Sequence, residues 1–219
     1  MSLKYDNNDI KLEVWETSFW LTLFSISFSF TKKKSPNKHI KFIYNLMYVI
    51  PCKQYRKLFE CAITNMPLTV YIVKDKIEFS KWVYTIMKLI HTTLKMNFIY
   101  NYEELENYFL NGPGLNTDYW GFFLWRFMHS VSFGFDGESR REYYSFFKNL
   151  KHIIICIYCK KSYKKFIEHD NDVILTHNIV QNKNTLTKWL YDLHNKVNQK
   201  LNKEITLSYE DVCNFFKYI

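Results

Sequence analysis

An all-α fold is predicted by where the two helix-breaking residues fall and by apolar residues recurring at helical spacing. All five glycines lie between residues 112 and 137, and no proline follows Pro113. Long stretches free of both favour helices over a turn-rich sheet fold. The run Leu-Asn-Gly-Pro-Gly-Leu-Asn-Thr-Asp, residues 110 to 118, is the clearest interruption in the chain. It divides the sequence into an N-terminal helical domain, residues 1 to 111, and a second helical domain, residues 112 to 219.

The elements follow in order. Residues 18 to 31 are fourteen uncharged residues ahead of Lys32, Lys33 and Lys34. That is short for a bilayer span, so a buried helix is expected and no membrane contact. Residues 37 to 49 and 102 to 110 are shorter helix candidates, with Pro36, Pro51 and Pro67 marking breaks. In residues 77 to 95, Ile77, Trp82, Val83, Ile86, Leu89 and Ile90 fall near one face. The second domain reads as five helices. One follows Thr117-Asp118, taken as its N-cap, and runs to Phe133, with Gly134 and Gly137 at its end. The next covers about 138 to 150, and a third starts at Cys156 and runs to Ile167. A fourth starts at Asn184 or Thr185 and ends near Leu201. The last opens at Ser208, where Ser-Tyr-Glu-Asp reads as a capping box.

Composition sets limits. With 219 residues, 47% hydrophobic and 19% aromatic, the chain is globular rather than disordered. Its net charge of +9 comes from scattered lysines, with no long basic tract and no recognisable nucleic-acid module. A solvated basic surface is expected, with no specific nucleic-acid partner. The first residues carry charges where the apolar core of a signal peptide would start, so secretion by that route is not expected. Five cysteines is an odd number, which argues against a secreted disulfide scaffold. Cys52 and Cys61 are expected to be buried free thiols.

Three features carry chemistry. Cys156 and Cys159 form a lone CxxC. No second pair exists, and His169, His177 and His194 are badly spaced for a zinc finger, so no metal is expected. A redox pair at a helix start fits better, because free N–H groups and the dipole stabilise a thiolate, the reactive form. Next, Leu186, Trp189, Leu190, Leu193, Val197 and Leu201 form an apolar stripe with His194 and Asn198 on or beside it. Third, Trp125 and His129 share a helix face, and Gly121 one turn earlier leaves room for a close approach.

In this order, Trp-x-x-x-His, CxxC and His-Asn-x-x-Asn on successive helices, the sequence resembles the Erv/ALR family of FAD-linked sulfhydryl oxidases. The resemblance covers about residues 117 to 219. It implies a four- or five-helix FAD-binding bundle. His194, Asn195, Val197, Asn198, Leu201 and Lys203 would line the adenosine and pyrophosphate side. Gly121, Trp125 and His129 would pack around the flavin, with Tyr163 also against the cofactor. Cys159 would lie against the isoalloxazine, and Cys156 would meet substrate. Departures are Ile155 for the family's common proline, Ser162 for a common histidine, and no structural disulfide near Ser208 or Cys213.

The resemblance further implies disulfide formation in protein thiol substrates, directly or through a thioredoxin-like protein, with O2 as acceptor, H2O2 as product, and a homodimer. Coding bias towards Lys, Asn, Ile, Tyr and Phe suggests a large-DNA-virus member. It would act in the host cytoplasm or nucleus, or in the virion, and would be similar to the baculovirus enzymes. In those relatives a degenerate domain of similar type precedes the catalytic one, and residues 1 to 111 are expected to be such a domain. The alternative is a catalytically inactive helical interaction protein that keeps the fold.

Overall fold

The computed structural model of the chain describes residues 9–96 and 101–217. Among the described residues, six helices precede the predicted boundary: α1 (Leu12–Phe28), α2 (Pro36–Val49), α3 (Lys53–Asn65), α4 (Val70–Lys74), α5 (Lys76–Leu94) and α6 (Tyr102–Leu110). Five follow it: α7 (Thr117–Phe133), α8 (Arg140–Ile153), α9 (Ile157–His169), α10 (Lys183–Lys200) and α11 (Tyr209–Lys217). The boundary itself holds only a short 3-10 turn, Pro113–Leu115.

Local signals explain most ends. Pro36 sits in the first turn of α2, where its missing N–H costs nothing. The Asp75 carboxylate accepts the Ile77 and Glu78 N–H groups and caps α5. The Ser208–Asp211 capping box forms in both directions, at 3.1 and 2.9 Å. The expected Thr117-Asp118 cap does not form. Asn116 is the cap residue of α7 and makes no side-chain bond. The α10 cap also shifts, to Asn182, whose side chain accepts the Thr185 N–H. The α3 and α4 helices were not foreseen, because α3 opens on Lys53, Gln54, Arg56 and Lys57 and buries only a narrow stripe around Tyr55, Phe59 and Ile63.

α1 is buried nearly all round because α5, α6 and α7 all pack on it. No helix among the described residues is long and apolar enough to cross a membrane. Cys52 is fully buried, as expected, and burial pushes its thiol up to about 11. Cys61 is exposed, contrary to expectation, because it lies on the solvent side of α3. Leu89, predicted on the apolar face of α5, is 40% exposed.

The helix order of the first half recurs in the second, and individual contacts recur with it. Trp15 and Trp20 of α1 stand where Trp120 and Trp125 stand in α7. Lys-Trp-Val-Tyr in α5 matches Lys-Trp-Leu-Tyr in α10, and Tyr102-Glu103-Glu104 in α6 matches Tyr209-Glu210-Asp211 in α11. The Trp82 indole N–H donates to the Met66 carbonyl at 2.9 Å, and the Trp189 indole N–H donates to the Val173 carbonyl at 2.9 Å. Ser80 and Tyr102 share a hydrogen bond of 2.8 Å; Thr187 and Tyr209 share one of 2.7 Å. Phe28 stacks on Phe109 with 13° between the ring planes, and Phe133 stacks on Phe216 with the same angle. Cys52 occupies the N-cap position of α3 as Cys156 does that of α9, though only Cys156 accepts a cap bond on its side chain.

The two halves share one hydrophobic core, with α1 packed on α7 and α2 on α8. Arg56 is the main polar tie. Its guanidinium pairs with Asp136 at 2.9 Å and donates to the Tyr143 hydroxyl at 3.0 Å. Asn45 donates to the Glu142 carbonyl, and Arg126 donates to the Val14 carbonyl.

Candidate functional site

The dithiol sits where its sequence predicts, at the start of α9. Cys156 is the cap residue, and the Cys159 N–H donates to its Sγ at 3.2 Å. A free N–H of the first helical turn therefore holds the Cys156 sulfur. The Cys159 thiol behaves otherwise than the helix-start argument implies. Burial, followed by the hydrogen bond and charge of Cys156, pushes Cys159 up to about 12. The Lys200 ammonium pulls in the opposite direction but is outweighed. Lys200 ends α10, donates to the Ser162 hydroxyl, and lies 5.9 Å from the centre of the Phe166 ring. It thereby ties the end of α10 to the first turns of α9. Sequence reasoning did not single it out, since a lone lysine on a solvated helix end carries no pattern.

The predicted aromatic and histidine residues do come together. Trp125 and His194 stack face to face, with centroids 4.0 Å apart and 7° between planes. His129 Nε2 and His194 Nδ1 lie 3.1 Å apart, so one proton is held between two rings. Burial, then the neighbouring His194, pulls His129 down to about 3; burial, then Lys203, pulls His194 down to about 4. Both rings are neutral at neutral pH. His129 Nδ1 is buried and has no hydrogen-bond partner among the described residues.

Other predicted positions divide. A Cβ built at Gly121 meets nothing within 4 Å, so open space lies beside α7 there. Asn195, Val197 and Asn198 are half-buried on α10. Lys203 lies just beyond α10, 3.4 Å from Asp118 at an exposed rim. Leu201, predicted on the apolar stripe, is 54% exposed where α10 ends. Tyr163 is buried, and its hydroxyl donates to the Phe147 carbonyl at 2.8 Å, so that hydroxyl is already used inside the bundle. Flat aromatic faces, an orphaned imidazole nitrogen, open space at a glycine and a cation at the rim suit a planar heterocycle with an anionic tail.

The equivalent positions in the first half have lost this character. Gly121, His129, Cys159, His194 and Asn198 correspond to Glu16, Phe24, Tyr55, Met87 and His91. Glu16 pairs with His91, and Tyr55 is fully buried and accepts the Trp20 indole N–H at 3.0 Å. Where Gly121 leaves open space beside α7, the first half carries the Glu16 side chain, paired with His91.

Known proteins resemble this part of the chain. Residues 123–217 match the Erv1 / Alr family. A probable FAD-linked sulfhydryl oxidase of Acanthamoeba polyphaga mimivirus is 30% identical over 95 residues, which cover 42% of this chain and 64% of that relative. The mitochondrial FAD-linked sulfhydryl oxidase of Saccharomyces cerevisiae is 28% identical over 97 residues, covering 42% of this chain and 46% of that relative. Each match thus spans less than two thirds of the relative. The segment that is similar to the Erv1 / Alr family contains His129, both cysteines of the dithiol and the whole run from His194 to Lys203.

Proposed function

We propose that the chain is a FAD-dependent sulfhydryl oxidase that makes disulfides in protein thiols. The observation that carries this reading is a CxxC at a helix start whose first turns are tied, through Lys200 and Ser162, to the helix bearing the His194–Trp125 stack. Both relatives are named as FAD-linked sulfhydryl oxidases, which supports it.

The chain's own residues account for the thiol chemistry. A substrate thiolate attacks Cys156 Sγ of the oxidised pair. A mixed disulfide forms, and the electron pair of the broken S–S bond goes to Cys159. A second substrate thiolate then attacks the substrate sulfur, releasing the substrate disulfide and the Cys156 thiolate. In the mixed disulfide Cys156 carries no charge and offers no thiol. Two of the influences that raise Cys159 are then gone, and Lys200 acts on it less opposed. FAD, when bound, supplies the two-electron acceptor that returns the dithiol to a disulfide and delivers the electrons to O2. The sum is two thiols and O2 giving a disulfide and H2O2. Trp125, His129 and His194 hold the ring system, Asn195 and Asn198 offer amides, and Lys203 offers a cation to the pyrophosphate.

Residues 1 to 111 are, on this reading, a degenerate second copy of the oxidase unit. The Glu16–His91 pair in place of open space predicts one FAD per chain rather than two. Because α1 and α2 already cover α7 and α8, a homodimer would form through another face. Viral origin and action in the infected cell or virion belong to the same proposal, as does a thioredoxin-like intermediary.

Flavin absorbance and oxygen uptake with dithiothreitol test it. The purified chain should be yellow, with about one FAD per chain, and should consume O2. Cys156→Ser should abolish oxidation while keeping flavin; Cys159→Ser should abolish it and also shift the flavin spectrum. A colourless protein that takes up no oxygen, or either variant at full activity, would refute the reading.

A further inference from the structure

The two residues between the cysteines are the most exposed large apolar side chains near the site, Ile157 at 68% and Tyr158 at 81%. Behind the dithiol, a small cavity is lined by Thr22, Ser25 and Ile26 of α1 together with Ile153, Ile154 and Ile155. The end of α1 and the loop after it, with Lys34, are therefore set against the turn that leads into Cys156. Lys34 donates to Ser29 at 2.8 Å from this loop, and the first turn of α2 adds Lys38. From the second half come His152 at the end of α8 and Lys160, Lys161 and Lys164 on α9.

Charge around the dithiol is one-sided. Among the described residues, Lys34, Lys38, Lys160 and Lys161 have no carboxylate partner. Glu168, an acid of α9, is already paired with Lys151 and lies 3.9 Å from Lys164. The cations repel one another across the two halves. Burial, then Lys160, pulls Lys34 down to about 8. Burial, then Lys38, Lys151, Lys160 and Lys164, lowers His152. An incoming carboxylate would relieve that repulsion, and a basic rim raises the encounter rate of acidic partners.

We propose that this basic face, built jointly by the N-terminal half and α9, docks acidic segments of the cysteine-bearing substrate beside Cys156, with Ile157 and Tyr158 as its apolar contacts. The proposal rests on the oxidase reading above. It also gives the degenerate half a task at the active site, since Lys34 and Lys38 come from it.

The test measures oxygen uptake by the FAD-loaded full chain with three reductants: dithiothreitol, a dicysteine peptide flanked by glutamates, and the same peptide flanked by lysines. At low salt the glutamate peptide should show a kcat/KM about 10-fold or more above the lysine peptide, and the gap should shrink at about 0.5 M salt. Lys38→Glu with Lys161→Glu, both at exposed positions, should close or invert the gap while turnover of uncharged dithiothreitol stays unchanged. Equal kcat/KM for the two peptides at low salt, or a gap that survives the double variant, overturns the docking proposal alone. Failure of the unmodified chain to oxidise dithiothreitol overturns the oxidase reading and the docking proposal with it.

Discussion

His129 and His194 show how one buried contact ties stability to pH. Both rings are neutral in the folded chain because burial holds them near 3 and 4, whereas the unfolded chain protonates histidine near 6.5. Between those values the unfolded state binds more protons, so these residues weaken the fold as pH falls from about 6.5 towards 4 and have no such effect above it. Each can contribute a slope of at most about 1.4 kcal/mol per pH unit. His129→Phe places there the residue that the first half carries as Phe24. Urea denaturation at pH 7 and pH 5 should show a smaller loss of stability for this variant than for the unmodified chain, along with weaker flavin retention. Equal losses in the two proteins would mean that His129 is not the source.

At the scale of elements, two glycines of α7 and its end differ in what they are for. Gly134 closes α7 against the other half, and a Cβ there would lie 2.8 Å from both Cα and Cβ of Pro51. Neither atom is the end of a flexible side chain, so the chain must shift to accept it. Gly134→Ala should cost about 1–3 kcal/mol and lower the thermal midpoint. Gly121 has nothing within 4 Å, and alanine suits a helix better than glycine. Gly121→Ala should therefore leave the midpoint unchanged or raise it, yet reduce FAD retention by filling the approach to Trp125. Thermal scans with and without added FAD separate the two effects. Unimpaired flavin binding by Gly121→Ala would remove this residue from the site.

The whole molecule behaves as one body because its halves share a core and a buried ion pair. Arg56 and Asp136 come from opposite halves, with side chains 10% and 3% exposed. Arg56→Ala leaves the buried carboxylate with only the more distant Lys53 ammonium, at 3.9 Å, and the Glu138 N–H, which costs up to about 3–5 kcal/mol. The loss should fall on both halves together. Helicity by circular dichroism and flavin release should follow one coincident transition in the unmodified chain and in the variant, at lower denaturant in the latter. Separate transitions for helicity and flavin release would show that the shared core does not couple the halves.

The sequence by itself determined much of this protein. Caps, breakers and apolar periods are local, so α2, α5, α6 and α7 to α11 were readable to within a few residues, as was the position of the dithiol at a helix start. α3 escaped because its stripe is narrow among charged residues. The duplication was present as Lys-Trp-x-Tyr and as the matching starts of α6 and α11. The expectation of a degenerate first half came from the family resemblance alone, because the chemistry-bearing positions had changed: Tyr55 for Cys159, Phe24 for His129, Met87 for His194. Only the tertiary structure decided that Glu16 pairs with His91 in the first half and that Cys159 is held high rather than low. It also decided that Lys34 lies near Lys160 and Lys38 near His152 of the other half. Burial and charge proximity set these properties, and both depend on which distant segments pack together, which no local pattern encodes.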